Sequence, residues 1–260
     1  GATDYERFAA EYAFFGRSVW QQTLNLTDEE KTELIRLLQE NYRPENRVYR
    51  YNFFYDNCAT RPRDKIEESI AGKVIYPAEP QDGSLTFRDI VHQYCKGHPW
   101  ARFGIDLCIG SEADQPITQR QMMFAPFYLM DAFDGAQIKG DSIQRPLITA
   151  NELVVDATPE PDESDWMPTP LQCSLLLFIL TAAATIYGIR RRTGLWGIDL
   201  FLFGIAGIVG CVLAFLALFS QHPAVSSNFL LLVFHPGQLL FLPYIIYLSL
   251  IHISEPTRPY

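Results

Sequence analysis

The sequence predicts an α+β soluble part followed by an all-helical membrane part. Charged and apolar residues are mixed up to about Pro170, and charges become rare after it. Before that point helical and strand periodicities alternate. After it the apolar runs are long enough to cross a hydrocarbon core of about 30 Å. The net charge of −9 over 260 residues argues against nucleic acid as a partner.

The first elements show clear helix and strand signals. Residues 4–14 carry apolar side chains at helical spacing, and residues 18–26 alternate as a strand does. One face of that strand carries Trp20, Gln22, Leu24 and Leu26. Thr27 and Glu30 form a capping box for a helix that continues to Pro44. The apolar side of this helix, which we expect to lie in the core, carries Leu34, Leu37, Leu38 and Tyr42.

The stretch of residues 51–64 reads YNFFYDNCATRPRD and holds the candidate nucleophile, Cys58. We predict a strand over residues 48–55 and a helix over residues 61–71, with Thr60 as its N-cap. A thiol beside a helix N-terminus is favoured as thiolate, and two nearby arginines act in the same direction. The alternative is a small buried cysteine without chemistry.

Several further elements follow. Thr86 caps a helix, residues 103–110 form a loop or short strand, and residues 146–155 return as a strand. Thr118 opens a helix rich in Met and aromatic residues, which we expect Pro126 to kink. That helix packs in the core or accommodates an acyl chain, and the sequence leaves both possibilities open.

The remaining four cysteines have simpler interpretations. Cys173 and Cys211 fall in apolar runs and read as membrane-core residues. Cys95 and Cys108 either stay reduced or pair in an oxidising compartment.

The predicted organisation has four parts: a soluble domain over 1–155, an acidic Pro-rich linker over 156–170, a membrane domain over 171–247, and a segment over 248–260 that resembles a translated sequencing adapter. The predicted spans cover 171–189, 195–219 and 229–247. His235-Pro236-Gly237 interrupts the third span, and Trp166 is a candidate interfacial anchor. Three arginines at 190–192 belong on the cytoplasmic side, which places the soluble domain outside.

The motif at residues 51–64, followed by a helical membrane domain, resembles the Lnb family, lipoprotein N-acyltransferases of Bacteroidota. The resemblance implies a papain-like domain of the NlpC and lecithin:retinol acyltransferase type, with Cys58 as nucleophile. It implies a phospholipid acyl donor, a lipoprotein acceptor, and an inner-membrane protein whose soluble domain faces the periplasm. It also places the catalytic histidine upstream of Cys58. We therefore expect this chain to be a fragment, incomplete at its N-terminus and truncated in its membrane domain. Since it would lack both the histidine strand and the later spans, we expect the fragment itself to be inactive.

A cysteine acyltransferase also needs an oxyanion donor, a base and substrate contacts. Asn57 and the Cys58 N–H are the candidate donors, although either can instead cap the helix. The weaker candidates for the base are His222, His98 and His92. The candidate substrate-binding residues are Arg61, Arg63, Asp64 and Tyr51. The plainer interpretation is ion pairing for the charged residues and packing for His92. No zinc-type spacing or phosphate loop occurs in the sequence, so we expect neither a metal nor a cofactor.

Two other functions remain open. A cysteine hydrolase of the same fold, acting on peptidoglycan or on lipid amides, passes through the same acyl-enzyme. A non-catalytic sensor or scaffold does not need Cys58 as a nucleophile.

Overall fold

The computed structural model describes residues 3–77, 85–140, 144–157 and 167–254. Its α-helices are α1 (Tyr5–Phe14), α2 (Asp28–Tyr42), α3 (Thr60–Ser69), α4 (Phe87–Tyr94), α5 (Pro99–Cys108), α6 (Gln119–Met122), α7 (Pro126–Asp134), α8 (Pro170–Arg191), α9 (Trp196–Leu218) and α10 (Gln238–Ser254). Its strands are β1 (Val19–Leu24), β2 (Lys73–Ile75), β3 (Gln137–Lys139), β4 (Gln144–Pro146) and β5 (Ile148–Val155). Short 3₁₀ turns cover Ser111–Asp114, Pro223–Val225 and Phe229–Leu232.

The chain forms two compact units. The first unit comprises Gly1–Leu85 and Pro116–Trp166, and the second comprises Thr86–Gln115 and Met167–Tyr260. The chain therefore passes between the units three times. This division differs from the boundary predicted at residue 155, because α4 and α5 group with the apolar helices.

Two small antiparallel sheets build the first unit. β1 pairs with β5, with Gln21 opposite Glu152, and β2, β3 and β4 form the second sheet in that order. The core includes a cluster of buried side chains from α7, the second sheet and the segments beside it: Ile70, Phe133, Ala136, Ile138, Leu147 and Ile148. These contacts place β1, α3 and α7 around the candidate site described below.

The predicted capping box of α2 is confirmed. The Thr27 hydroxyl accepts from the Glu30 N–H, and the Glu30 carboxylate accepts from the Thr27 N–H. Only part of the predicted apolar side is buried, since Leu37 is 3% exposed while Leu38 and Tyr42 are 52% and 76% exposed. Glu30 is itself buried, and its charge is compensated because its carboxylate also accepts from the Ala71 N–H at 3.0 Å and from Arg145.

The strand predicted over residues 48–55 is wrong. The chain there forms a tight turn, in which Asn52 and Asp56 exchange two backbone hydrogen bonds of 3.0 Å. Phe54 lies inside the turn, 1% exposed, with its ring edge-on to Phe124 at 5.5 Å. The β-propensity of these aromatic residues favours a strand, but in the structure Phe54 packs into the core and closes a turn.

Two further corrections concern helices. The loop predicted over residues 103–110 is instead mostly α5, which Pro99 opens at its first position, where a missing N–H costs nothing. Pro126 does not kink one long helix, because α6 ends at Met122 and Pro126 begins α7. The Thr118 cap, by contrast, is confirmed.

The second unit contains the two long apolar helices predicted from the sequence. By length and composition α8 and α9 are able to cross a membrane. α10 begins only after the predicted break, and Gly210 of α9 approaches the chain there so closely that a Cβ would lie 2.5 Å from the Phe234 oxygen. α10 continues through residues 248–254 of the segment read as adapter-derived. Most of the predicted linker, including Trp166, lies outside the described residues.

Candidate active site

The start of α3 is built around the side chain of Asn57. Its Oδ1 accepts from the N–H groups of Ala59 and Thr60 at 2.8 and 2.9 Å, and its amide donates to the carbonyls of Phe53 and Phe124 at 2.9 and 2.8 Å. Asn57 is 3% exposed. Asn57 thus caps α3, the role predicted for Thr60, and both hydrogens of its amide are already donated within the protein.

Cys58 is exposed, although the residues on either side of it are buried. It lies immediately before Ala59, the N-cap position of α3, where the positive end of the helix dipole is close. The Tyr51 side chain lies beside the Cys58 side chain. Partial burial and the neighbouring Cys58 raise the pKa of Tyr51, so its hydroxyl stays protonated and is able to donate to the sulfur.

Cys58 is one of the residues that line an apolar groove of about 440 Å³. Its lining residues come from β1, the start of α3 and α7: Trp20, Gln22, Leu24, Cys58, Ala59, Ile66, Pro126, Phe127, Leu129, Met130 and Phe133. Gln22, the one polar lining residue besides the cysteine, donates to the Met130 carbonyl at 2.9 Å. The groove has the volume of a small-molecule site and the surface expected for a hydrocarbon chain.

Arg61 lies on another side of α3. It forms a bidentate pair with Asp56, with N–O distances of 2.6 and 2.9 Å, and its guanidinium lies 3.2 Å from the ring centroid of Tyr49. A polar groove of about 600 Å³ lies there, lined among others by Arg61, Asp64 and Lys65. α3 therefore separates an apolar groove from a polar one.

Arg63 and Asp64 belong to an ion-pair network. Arg63, 6% exposed, pairs with Asp64 and donates to the Arg120 carbonyl at 3.0 Å, while Arg120 pairs with Asp64 and Glu67. Burial acts to raise the pKa of Glu67, but its hydrogen bonds from Arg120 and Tyr76 outweigh burial and lower it. The burial of Arg63 favours a role in holding α3, so its substrate contact stays a prediction.

The three candidate histidines all belong to the second unit, and the sequence of the first unit contains no histidine. His92 is hydrogen-bonded to Asp106 at 2.7 Å, in agreement with the packed interpretation of this residue. His98 precedes α5, and His222 precedes the 3₁₀ turn after α9. Among the described residues, Cys95 and Cys108 are free thiols, and no cluster of His, Cys, Asp and Glu is arranged to hold a metal ion.

Sequence reasoning missed most of the groove. It predicted the β1 face of Trp20, Gln22 and Leu24, which does line it. It left the α7 side chains open between core and acyl binding, and it gave no role to the Phe124 carbonyl that holds Asn57. No local signal identifies that carbonyl, because it lies 67 residues from Asn57 in sequence.

Comparison with known families gives two matches. Residues 1–93 match the model described as the Lnb N-terminal periplasmic domain, and residues 162–252 match the model described as the Lnb transmembrane domain. Neither a search of curated proteins nor a search of solved structures found a match. The match to a periplasmic domain precedes the match to a transmembrane domain, in agreement with the outward placement of the soluble part inferred from the arginines at 190–192. The chain is a membrane protein with a periplasmic domain, and it belongs to the Lnb family.

Proposed function

We propose that this protein is a cysteine acyltransferase that moves an acyl chain from a phospholipid to the N-terminal amine of a lipoprotein. The observation that carries the proposal is the position of Cys58, an exposed thiol that lines an apolar groove. An acyl chain lying in that groove would present its ester carbonyl to the sulfur. The family resemblance supports the choice of donor and acceptor, and a papain/NlpC-type fold for the first unit is part of the same proposal.

The reaction has two balanced steps. In the first, the Cys58 sulfur attacks the ester carbonyl, the carbon–oxygen bond to the glycerol breaks, and the lysophospholipid alkoxide takes up a proton. In the second, the lipoprotein amine attacks the thioester, the carbon–sulfur bond breaks, and the amine loses a proton. The thiol is regenerated, so no oxidant or co-substrate is needed.

The neighbouring groups have distinct roles in this scheme. We assign the Tyr51 hydroxyl, which lies beside Cys58 and stays protonated, the role of hydrogen-bond donor to the sulfur. The Cys58 N–H takes no part in the capping bonds of Asn57, and we assign it to the oxyanion. Asn57 becomes a positioning residue, because its amide is occupied by the Phe53 and Phe124 carbonyls. The base is unassigned in this scheme, and His222, His98 and His92 stay candidates from the sequence.

The test uses the full-length protein, expressed in bacterial inner membranes supplied with a clickable fatty acid. We expect label on the protein that hydroxylamine removes, as it removes a thioester. Cys58→Ala should abolish this label, whereas Cys211→Ala, at another exposed cysteine, should retain it. Alanine variants of the three histidines, assayed in parallel, would identify a base by loss of the same label.

The alternatives predict different results. A hydrolase would release free fatty acid or cleaved peptide in a Cys58-dependent way without acylating any lipoprotein. A scaffold would keep its function in the Cys58→Ser variant. Label that persists in Cys58→Ala would contradict the proposed mechanism.

A further inference from the structure

α5 presents an aromatic and cationic surface that the acyltransferase scheme does not use. None of its ten residues is buried. Trp100 and Phe103 are 42% and 46% exposed, and their rings meet edge to face at 6.0 Å. Arg102, between them in sequence, is 54% exposed. We call Trp100, Arg102 and Phe103 the α5 surface.

The N-terminal end of α5 is held at the start of the first apolar helix. The indole N–H of Trp100 donates to the Pro168 carbonyl at 2.9 Å, and Pro168 lies two residues before α8 begins. The arginines at 190–192 put the far end of α8 on the cytoplasmic side. Trp100 therefore lies near the level at which α8 enters the membrane from the periplasm.

The C-terminal end of α5 is held at the loop that follows the second apolar helix. The Asn228 amide donates to the Leu107 carbonyl at 2.8 Å, and the Gly110 N–H donates to the Ala224 carbonyl, also at 2.8 Å. Asn228 is buried. α9 runs in the opposite direction to α8 across the membrane, so this loop returns to the periplasmic side. Both attachments of α5 are thus to the same side of the membrane.

Charge pairing leaves the α5 surface suited to an anionic boundary. The carboxylate of Asp106, one turn after Arg102, is paired with Arg88 at 2.9 Å and with His92 at 2.7 Å. Arg88 also pairs with Asp114 of the following 3₁₀ turn. Arg102 lies 3.7 Å from the other carboxylate oxygen of Asp106 in a looser pair, and its side chain is still 54% exposed.

We propose that the α5 surface docks on the periplasmic leaflet of the membrane in which α8 and α9 are embedded. Trp100 and Phe103 would enter the boundary between headgroups and acyl chains, and Arg102 would meet lipid phosphates. Amphipathic side chains of this kind are enriched at membrane interfaces. A helix of ten residues is about 15 Å long, enough to fix the orientation of the second unit's polar segment on the lipid surface. The proposal rests on the membrane topology and not on the chemistry of Cys58.

Tryptophan quenching tests it directly. In one variant Trp20, Trp166 and Trp196 are replaced by Phe, which leaves Trp100 as the sole tryptophan; a second variant retains only Trp196, the first residue of α9. Both are reconstituted in phosphatidylethanolamine–phosphatidylglycerol vesicles with brominated acyl chains. Quenching of Trp196 shows that the chain is inserted. We expect Trp100 to lose emission as well, more with bromines near the glycerol end than near the methyl end. Trp100 emission that is unaffected by bromine but quenched by aqueous iodide would overturn the proposal.

A second measurement needs no substitution. The unaltered chain in vesicles is cross-linked by lipids with a photoactivatable acyl chain, and the products are mapped by mass spectrometry. We expect cross-links in α5 as well as in α8. Cross-links in α8 with none in α5 would indicate that a protein partner or further polypeptide covers this surface, and the lipid assignment would be wrong.

Discussion

Replacing Asn57 by alanine should open the start of α3 and displace Cys58 without removing the thiol. The substitution removes an N-cap, which costs about 1 kcal/mol. It also leaves the Phe124 carbonyl buried without a partner, which costs roughly 1–3 kcal/mol. The Phe53 carbonyl is only partly buried and adds little. We therefore expect the local opening of α3 to become easier by about 2–4 kcal/mol.

Hydrogen exchange of the α3 amides measures this quantity locally. At one decade per 1.4 kcal/mol, exchange should accelerate roughly 30- to 700-fold. Asn52→Ala is the matched control, because the Asn52 side chain accepts from two N–H groups of the same turn through longer bonds, of 3.2 and 3.3 Å. We expect the control to change exchange in α3 by less than about tenfold.

The same variant separates two roles for Asn57. A positioning residue loses acylation of Cys58 together with protection of α3. An oxyanion donor, the role considered from the sequence, loses acylation while α3 stays protected. If the α3 amides exchange no faster in Asn57→Ala than in the Asn52→Ala control, Asn57 does not cap α3.

Three further predictions address the core, the second unit and the groove. Glu30→Gln leaves Arg145 without its anionic partner and should cost about 3 kcal/mol in thermal unfolding. Burial alone would raise the pKa of Glu30, but its hydrogen bonds lower it below the ordinary value of 4.5. The carboxylate therefore contributes its full stabilisation above pH 4.5 and loses it as the pH falls through the lowered pKa. The stability of the variant, which lacks this carboxylate, should fall less steeply as the solution is acidified. Gly110→Ala places a Cβ 1.6 Å from a facing carbonyl oxygen and should lower the melting temperature, whereas Gly104→Ala, with open space around it, should not. Met130→Trp narrows the apolar groove and should shift the transferred acyl group toward shorter chains, as read by mass spectrometry of the acyl-enzyme, while alkylation of Cys58 by a small reagent stays unchanged.

Signals contained within a few residues were predicted well. The Thr27 and Thr118 caps depend on a partner three residues away, and both are present in the structure. The first two predicted spans match α8 and α9 to within a few residues, because bilayer crossing depends on length and composition, whereas the third is divided between a 3₁₀ turn and α10. Each of these features has its cause inside the segment that forms it.

Features that depend on distant contacts were not predicted. The turn at residues 52–56 is closed by packing of Phe54 on Phe124, about seventy residues later in the sequence. β-propensity alone predicts a strand for the same aromatic residues. α5 contains Gly104, a weak helix former, and is held at its ends by Pro168 and Asn228. The apolar groove has the same origin, since its walls come from three separated segments.

The division of the chain into two units leads to a last prediction, which concerns how the periplasmic domain is held at the membrane. A protease site inserted between residues 157 and 167 cuts the predicted linker, but the segment Thr86–Gln115 remains part of the N-terminal fragment. That segment is attached to the remainder of the second unit, Met167–Tyr260, by the bonds of Gly110 and Asn228, each worth about 0.5–1.5 kcal/mol. We therefore expect the cut N-terminal fragment to stay with the membrane through a salt wash, and Asn228→Ala to promote its release.

Release of the fragment by salt from the otherwise unaltered chain would show that the linker alone is the anchor. Retention would mean that the periplasmic domain is attached through its own middle segment as well as through the linker. Such attachment bears on the choice between transfer and hydrolysis. Cys58 is exposed to water, so nothing at the thiol itself excludes water from the acyl-enzyme. Confinement near the bilayer raises the effective concentration of a lipid-anchored amine around Cys58. This higher concentration favours attack on the thioester by the amine over attack by water.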